Sequence, residues 1–160
     1  MPTGSVAGME GQVRLAPMRW WHIDALLPIE RELFGAEEWS PATFWSELAQ
    51  ADTRYYRVAL DGGRVIGYAG LCTYDDQSWV QNIAVTADLQ GRGIGARLLD
   101  DLLAEAARRG AVQVALEVRA DNATAQRLYA RRGFEAVAVR RGYYQPSNTD
   151  AVVMVREESA

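Results

Sequence analysis

The sequence predicts a mixed α/β domain: a twisted, mostly antiparallel sheet of about seven strands with about four helices on its faces. Three observations carry this. The middle of the chain holds three apolar segments in succession, the first two joined by the turn Asp61-Gly62-Gly63, which is the pattern of an antiparallel meander. A glycine-dense segment then opens an amphipathic run with Ile94, Leu98, Leu99, Leu102, Leu103 and Ala106 on one face and Gly110 as its stop. Another apolar segment follows directly, so strand, helix and strand make a βαβ unit with the glycine loop at the strand-to-helix junction.

The elements follow in order. The chain alternates as a short strand over 12–16, and residues 19–34 carry helical spacing at Trp20, Ile23, Leu27, Leu33 and Phe34. Pro28 predicts a kink or a split in that helix. Ser40-Pro41 reads as a cap followed by a first-turn proline, opening a second helix through Phe44, Trp45 and Leu48. The meander strands cover 55–60, 65–73 and 79–85, and the strand after the long helix covers 112–118. Asp121 or Asn122 caps a short helix that runs to Arg132 and ends at Gly133; two last strands cover 134–140 and 151–155.

A chain of 160 residues suits one domain with a real core, taken as 11–160, and no internal repeat divides it. Residues 1–10 are rich in small side chains and lack the basic segment and apolar stretch of a secretory signal, so they read as a flexible tail. With 49% apolar and 24% charged residues and no apolar run long enough for a bilayer, a cytoplasmic protein without membrane contact is expected. Cys72 and His22 are each the only residue of their kind, which excludes an internal disulfide and leaves no thiolate or imidazole cluster for a metal. The net charge of −4 opposes a general nucleic-acid surface and suits a cationic substrate. The arginines gathered between Arg108 and Arg141 sit at helix ends and on polar faces, where solvation accounts for them.

The chemistry concentrates at Gln90-Gly91-Arg92-Gly93-Ile94-Gly95. Three glycines in five positions ahead of a strong helix let backbone approach a ligand closely, while the unpaired first-turn amides point outward with the positive end of the helix dipole. That is a phosphate cradle, with Arg92 adding a cation. The segment Gly91-Arg92-Gly93-Ile94-Gly95-Ala96 also satisfies the dinucleotide-binding pattern, but there the first glycine follows directly on its strand, whereas here residues 86–90 intervene. A nucleotide triphosphatase loop is excluded because no Lys-Ser or Lys-Thr follows the glycines.

Asn82-Ile83-Ala84-Val85 followed by that loop resembles the acetyl-coenzyme A motif of the GNAT N-acetyltransferases. Residues 116–122, Leu128-Tyr129, Gly133-Phe134, Tyr143-Tyr144 and Asp150-Ala151 with Met154 are similar to the RimI branch, the ribosomal-protein alanine N-acetyltransferases, and the likeness covers 12–156. The resemblance implies the GNAT fold, with acetyl-coenzyme A bound where two neighbouring strands splay. It implies that Ile83, Ala84 and Val85 offer backbone groups to the acetyl and pantetheine arm. By the same resemblance Gln90, Gly91, Arg92, Gly93, Ile94, Gly95 and Ala96 hold the diphosphate, and Asn122 contacts the pantetheine. Glu117 matches the family's proton acceptor and Tyr129 its proton donor. Trp39, Ser40, Tyr143 and Tyr144 match segments flanking the peptide groove, although this chain has Glu38 where the family has proline before Trp-Ser.

The residues themselves are compatible with those roles. Glu117 lies in a strand whose other parity is apolar, so it faces away from one hydrophobic layer, although a solvated or paired strand carboxylate gives the same pattern. Asn122 and Tyr129 stand about two helical turns apart and share a face, where an ordinary half-buried tyrosine is the plainer reading of Tyr129. The implied substrate is the N-terminal amine of a protein, the alanine of a small-subunit ribosomal protein being the family's own. Lysine side chains, a small-molecule amine and a non-catalytic acetyl-coenzyme A-binding module are the alternatives. Trp20, Trp21 and Trp45 are expected to be packing residues.

Overall fold

A computed structural model describes residues 12–158, and the tail expected over 1–10 lies outside them. The described chain forms strands β1 (Val13–Pro17), β2 (Arg54–Asp61), β3 (Arg64–Tyr74), β4 (Gln77–Val85), β5 (Gln113–Arg119), β6 (Glu135–Tyr144) and β7 (Thr149–Glu157). Its α-helices are α1 (Ile23–Phe34), α2 (Pro41–Ala49), α3 (Ile94–Arg108) and α4 (Ala123–Arg131). All seven strands join one sheet in the order β1-β2-β3-β4-β5-β7-β6, and every neighbouring pair is antiparallel except β4 with β5. The mixed α/β fold and the βαβ unit expected from the sequence are both present.

Strand alternation divides the core into two layers. On one face Leu98, Leu99, Leu102 and Ala106 of α3 pack against Ile66, Leu71, Val80, Val114 and Leu116. On the other, Leu26 and Ile29 of α1 and Phe44 of α2 pack against Val58, Leu60, Tyr68 and Ala84. Both faces of the central strands are therefore covered.

The single parallel contact leaves a gap in the sheet. β4 and β5 pair only through Gln77–Val80 and Gln113–Leu116. Beyond that point β4 stays bonded to β3 as far as Val85 opposite Gly67, and β5 stays bonded to β7 as far as Arg119 opposite Ala151. The two strands thus diverge with their facing edges free. A β-bulge marks the divergence: Gly70 faces Asn82 and Leu71 faces Val80, so Gln81 is an extra residue, and a bulge bends its strand and increases its twist.

Three details depart from the expectations. α1 is not split at Pro28, which lies on its exposed side. Val112 precedes its strand and is half exposed instead of lying in the apolar layer. The tryptophans are not core packing residues. Trp20, Trp21 and Trp45 are 59%, 60% and 52% exposed, and Trp20 stacks on Trp45 at the surface with centroids 6.2 Å apart. Phe44 fills the buried face of α2, which turns its neighbour Trp45 outward. Among the described residues no helix is long and apolar enough to cross a membrane.

Leu102 is fully buried between α3 and the sheet. Leu102→Ala is expected to destabilise the fold by about 2–5 kcal/mol, read as a lower midpoint of urea unfolding. A loss below about 0.5 kcal/mol, the size of a surface substitution, would contradict that placement.

Candidate active site

The glycine loop has the backbone its composition foretold. Gly91 and Gly93 lie at φ +82° and +83°, in the left-handed region that side chains disfavour, and Gly93 caps α3 without a side chain. The Arg97 amide is the first to find a helical partner, the Gly93 carbonyl at 3.0 Å. The amides of Ile94, Gly95 and Ala96 therefore have no partner within the helix. Gln90 is tied back to the strand: its Nε2 donates to the Val85 carbonyl at 3.0 Å. Beside the loop lies a cleft of about 420 Å³ whose wall includes Gln90, Gly91, Gly93, Ile94, Gly95 and Ala96. Arg92 is half-buried outside that wall, and the cation that does line the cleft is Arg131 of α4.

A second, inner cavity of about 160 Å³ occupies the gap between the diverging strands. Both cavities share Ile83, Asn122, Ala125 and Tyr129 in their walls, so they meet end to end. Val85 borders the cleft, while Ala84 is buried against the α1 and α2 layer. At the junction, Asn122 caps α4 by accepting the Ala125 amide at 3.0 Å, which leaves its Nδ2 free for a ligand. Tyr129 is 8% exposed, packs edge-on against Phe134 at 5.8 Å, and its hydroxyl has no hydrogen-bond partner among the described residues. Burial alone pushes its pKa up to about 12.

Glu117 lies on the inner-cavity wall. Its side chain is 16% exposed and forms an ion pair with Arg140, Nε lying 3.2 Å from Oε1. The Tyr143 phenol, whose pKa is raised first through its interaction with that carboxylate, stands on the same side. Tyr144 donates its hydroxyl to the Glu117 carbonyl at 3.3 Å and lines the cavity, whereas Tyr143 is 48% exposed and does not. Trp39 also lines the cavity; Ser40 lies outside it and caps α2 by accepting the Thr43 amide at 3.2 Å.

Two side chains that the sequence does not single out organise the walls of the site. Arg119, at the end of β5, bonds Glu37, Asp121 and Thr149, and its guanidinium lies 5.4 Å from the Tyr144 ring centre. Glu37 also accepts the Ser147 amide and hydroxyl, so one guanidinium links the α1–α2, β5–α4 and β6–β7 connections. Charge pairs with several fixed hydrogen bonds are the ones that orient loops. Glu30 is the other: fully buried, it accepts the Tyr68 hydroxyl and the Trp39 amide and so pins the α1–α2 connection to the sheet. Helical spacing from Asn122 and Tyr129 would have found Ala125, but nothing local announces Glu30 or Arg119.

Burial raises the pKa of Glu30 above its ordinary 4.5, with the Glu38 charge adding to it, despite the opposing hydrogen bonds from Tyr68 and Trp39. A carboxyl raised on folding contributes stability that is fully present below its unfolded pKa and is lost as pH rises through the folded one. The stability of the wild type relative to Glu30→Gln should therefore fall as pH climbs from below 4.5 toward neutrality, then level off. Urea unfolding of both proteins across that range checks it; a difference that stays flat or grows with pH contradicts it.

The profile of the acetyltransferase (GNAT) family matches residues 18–134. The chain is 44% identical over 134 residues to the N-alpha-acetyltransferase RimI of Mycobacterium tuberculosis, covering 81% of this chain and 82% of that one. It is 37% identical over 119 residues to the [ribosomal protein bS18]-alanine N-acetyltransferase of Escherichia coli K12, covering 72% and 78%. The crystal structure of the ribosomal-protein-S18-alanine N-acetyltransferase from Escherichia coli superposes with a TM-score of 0.82 at 31% identity, over 92% of this chain and 95% of that one. With its glycine cradle, its splayed strands and this similarity along most of its length, the chain belongs to the GNAT family of acetyltransferases.

Proposed function

We propose that this acetyltransferase modifies the N-terminal α-amine of a protein, with the N-terminal alanine of a bS18-type ribosomal protein as its substrate. One observation carries the reading: two cavities, one walled by the glycine loop and the other by Glu117, share Tyr129 in their walls. A donor and an acceptor can meet there without a covalent enzyme intermediate. The names borne by the relatives in Mycobacterium tuberculosis and Escherichia coli support the choice of amine.

The residues fit acetyl-coenzyme A. The free amides of Ile94, Gly95 and Ala96, with Gly91 and Gly93 beside them, suit a diphosphate, and Arg131 supplies a cation for phosphate. The edge of β4 left open by β5 suits the amides of a pantetheine arm at Ile83 to Val85, with Asn122 Nδ2 as a further donor. Gln90 holds the loop in register and Arg92 adds to the positive field. When bound, acetyl-coenzyme A supplies a thioester carbonyl open to attack by an amine.

Glu117 acts on the amine. A peptide α-amine has a pKa of about 7.7–8.0, so near neutral pH a carboxylate that attracts the ammonium and takes its proton, directly or through a water, frees the lone pair. Arg140 and Tyr143 stand beside that carboxylate. Tyr129 acts on the leaving sulfur. A thiol has a pKa of about 8.5, well below that of a phenol, so Tyr129 need only donate a hydrogen bond as the thiolate departs. Its raised pKa keeps the proton in place for that purpose. Trp39 and Tyr144 wall the channel for the acceptor, with Tyr143 at its mouth and Ser40 holding α2 beside it.

Glu117→Gln and Tyr129→Phe are each expected to lower kcat on an alanine-initiated peptide by about 10²- to 10⁴-fold while calorimetry gives an unchanged Kd for acetyl-coenzyme A. Wild-type turnover in both variants would overturn these roles. Mass spectrometry of protein N-termini should show the bS18 alanine losing its acetyl group in cells lacking this protein; undiminished acetylation there would refute the substrate.

A further inference from the structure

We infer that Gln81 and Asn82 read the first residue of the acceptor chain as a pair, Gln81 donating to its carbonyl and Asn82 accepting from its amine. The inference rests on the peptide reading above and deepens it.

The bulge in β4 puts both side chains on the wall of the inner cavity. A regular strand would turn one of them away. Each amide is then oriented by a buried tyrosine. Tyr56, 6% exposed, donates its hydroxyl to Gln81 Oε1 at 2.6 Å. With the oxygen occupied, Gln81 Nε2 is the free end, and it has no acceptor among the described residues. Tyr56 reaches this position because Gly70 has no side chain: a methyl group there would fall within the Tyr56 ring.

The second amide is fixed in the opposite sense. Tyr68, fully buried, donates its hydroxyl hydrogen bond to the Glu30 carboxylate, so its oxygen accepts from Asn82, whose Nδ2 lies 2.6 Å away. That turns Asn82 Oδ1 to the other side, where no described residue donates to it. One free donor and one free acceptor, on successive residues, stand across the gap from Glu117.

An N-terminal residue presents the matching pair, an amine and a carbonyl separated by one carbon. A lysine side-chain amine has no carbonyl at that distance, and neither does a simple alkylamine. The two amides therefore select α-amines, and their selectivity resides in binding, since neither touches the proton that Glu117 removes.

Steady-state kinetics with an alanine-initiated peptide and its analogue bearing a thioamide at the first carbonyl test this, because a thioamide sulfur is a weak acceptor. In the wild type the analogue should raise KM about three- to ten-fold, the worth of one neutral hydrogen bond, with kcat within about two-fold. Gln81→Leu should raise KM for the parent peptide by a similar factor and no longer distinguish the two. Tyr56→Phe, which frees the Gln81 amide without removing it, should lie between, and it carries the test alone should Gln81→Leu fail to bind acetyl-coenzyme A. Equal KM values in the wild type, discrimination that persists in Gln81→Leu, or discrimination by Tyr56→Phe undiminished from the wild type would overturn the inference while leaving N-terminal acetylation intact. A wild type that acetylates neither peptide would overturn the substrate reading and the inference together.

Discussion

Hydrogen bonding between β4 and β5 stops at Val80 and Leu116, and the site depends on that interruption. A backbone edge inside a sheet must find partners, and here each strand has a neighbour on its outer side only, β3 for β4 and β7 for β5. The facing edges are left without strand partners beyond that point. The covered layers keep the gap from closing or widening: α3 packs against β3 and β4 on one face, and α1 with α2 covers the other. The opening is thus framed by the packed core on both faces.

Around this gap the polar residues divide by where their partners come from. The glycine loop needs no side chain to offer its amides, and Gln90 holds it to the end of β4. Glu30, Tyr68 and Asn82 form a chain of bonds under the sheet, and Arg119 with Glu37 and Ser147 forms another across the outer wall. Buried networks of this kind fix geometry more than they add stability. Glu117 and Tyr129 differ from both. Glu117 pairs with Arg140 and Tyr143 at its outer side, and Tyr129 has a free hydroxyl, so both remain available on the cavity walls.

What could be read from the sequence was local. The cradle is visible in Gly91 and Gly93 because only glycine takes those dihedral angles cheaply, and α3 is visible in its apolar stripe. Ser40 and Asn122 were legible as caps for the same reason. Glu117, Asn122 and Tyr129 gained meaning from a family resemblance, since a strand carboxylate and a half-buried tyrosine are ordinary things. The bulge at Gln81 left no trace in the residue pattern, and the bonds from Glu30 to Asn82 and from Arg119 to Glu37 join positions 52 and 82 residues apart. The three surface tryptophans misled because size and apolarity predict burial, whereas the helix face available at Trp45 was already taken by Phe44.

Amide hydrogen exchange with and without acetyl-coenzyme A tests most directly whether the open edge is the binding site. If the ligand completes that edge, protection will rise at residues 83–85 of β4 and at residues 94–96 in the first turn of α3, while the paired segment 77–80 is unchanged. Saturating acetyl-coenzyme A that protects the first turn but leaves 83–85 exchanging as before would contradict it, and the gap between β4 and β5 would then have to serve something else.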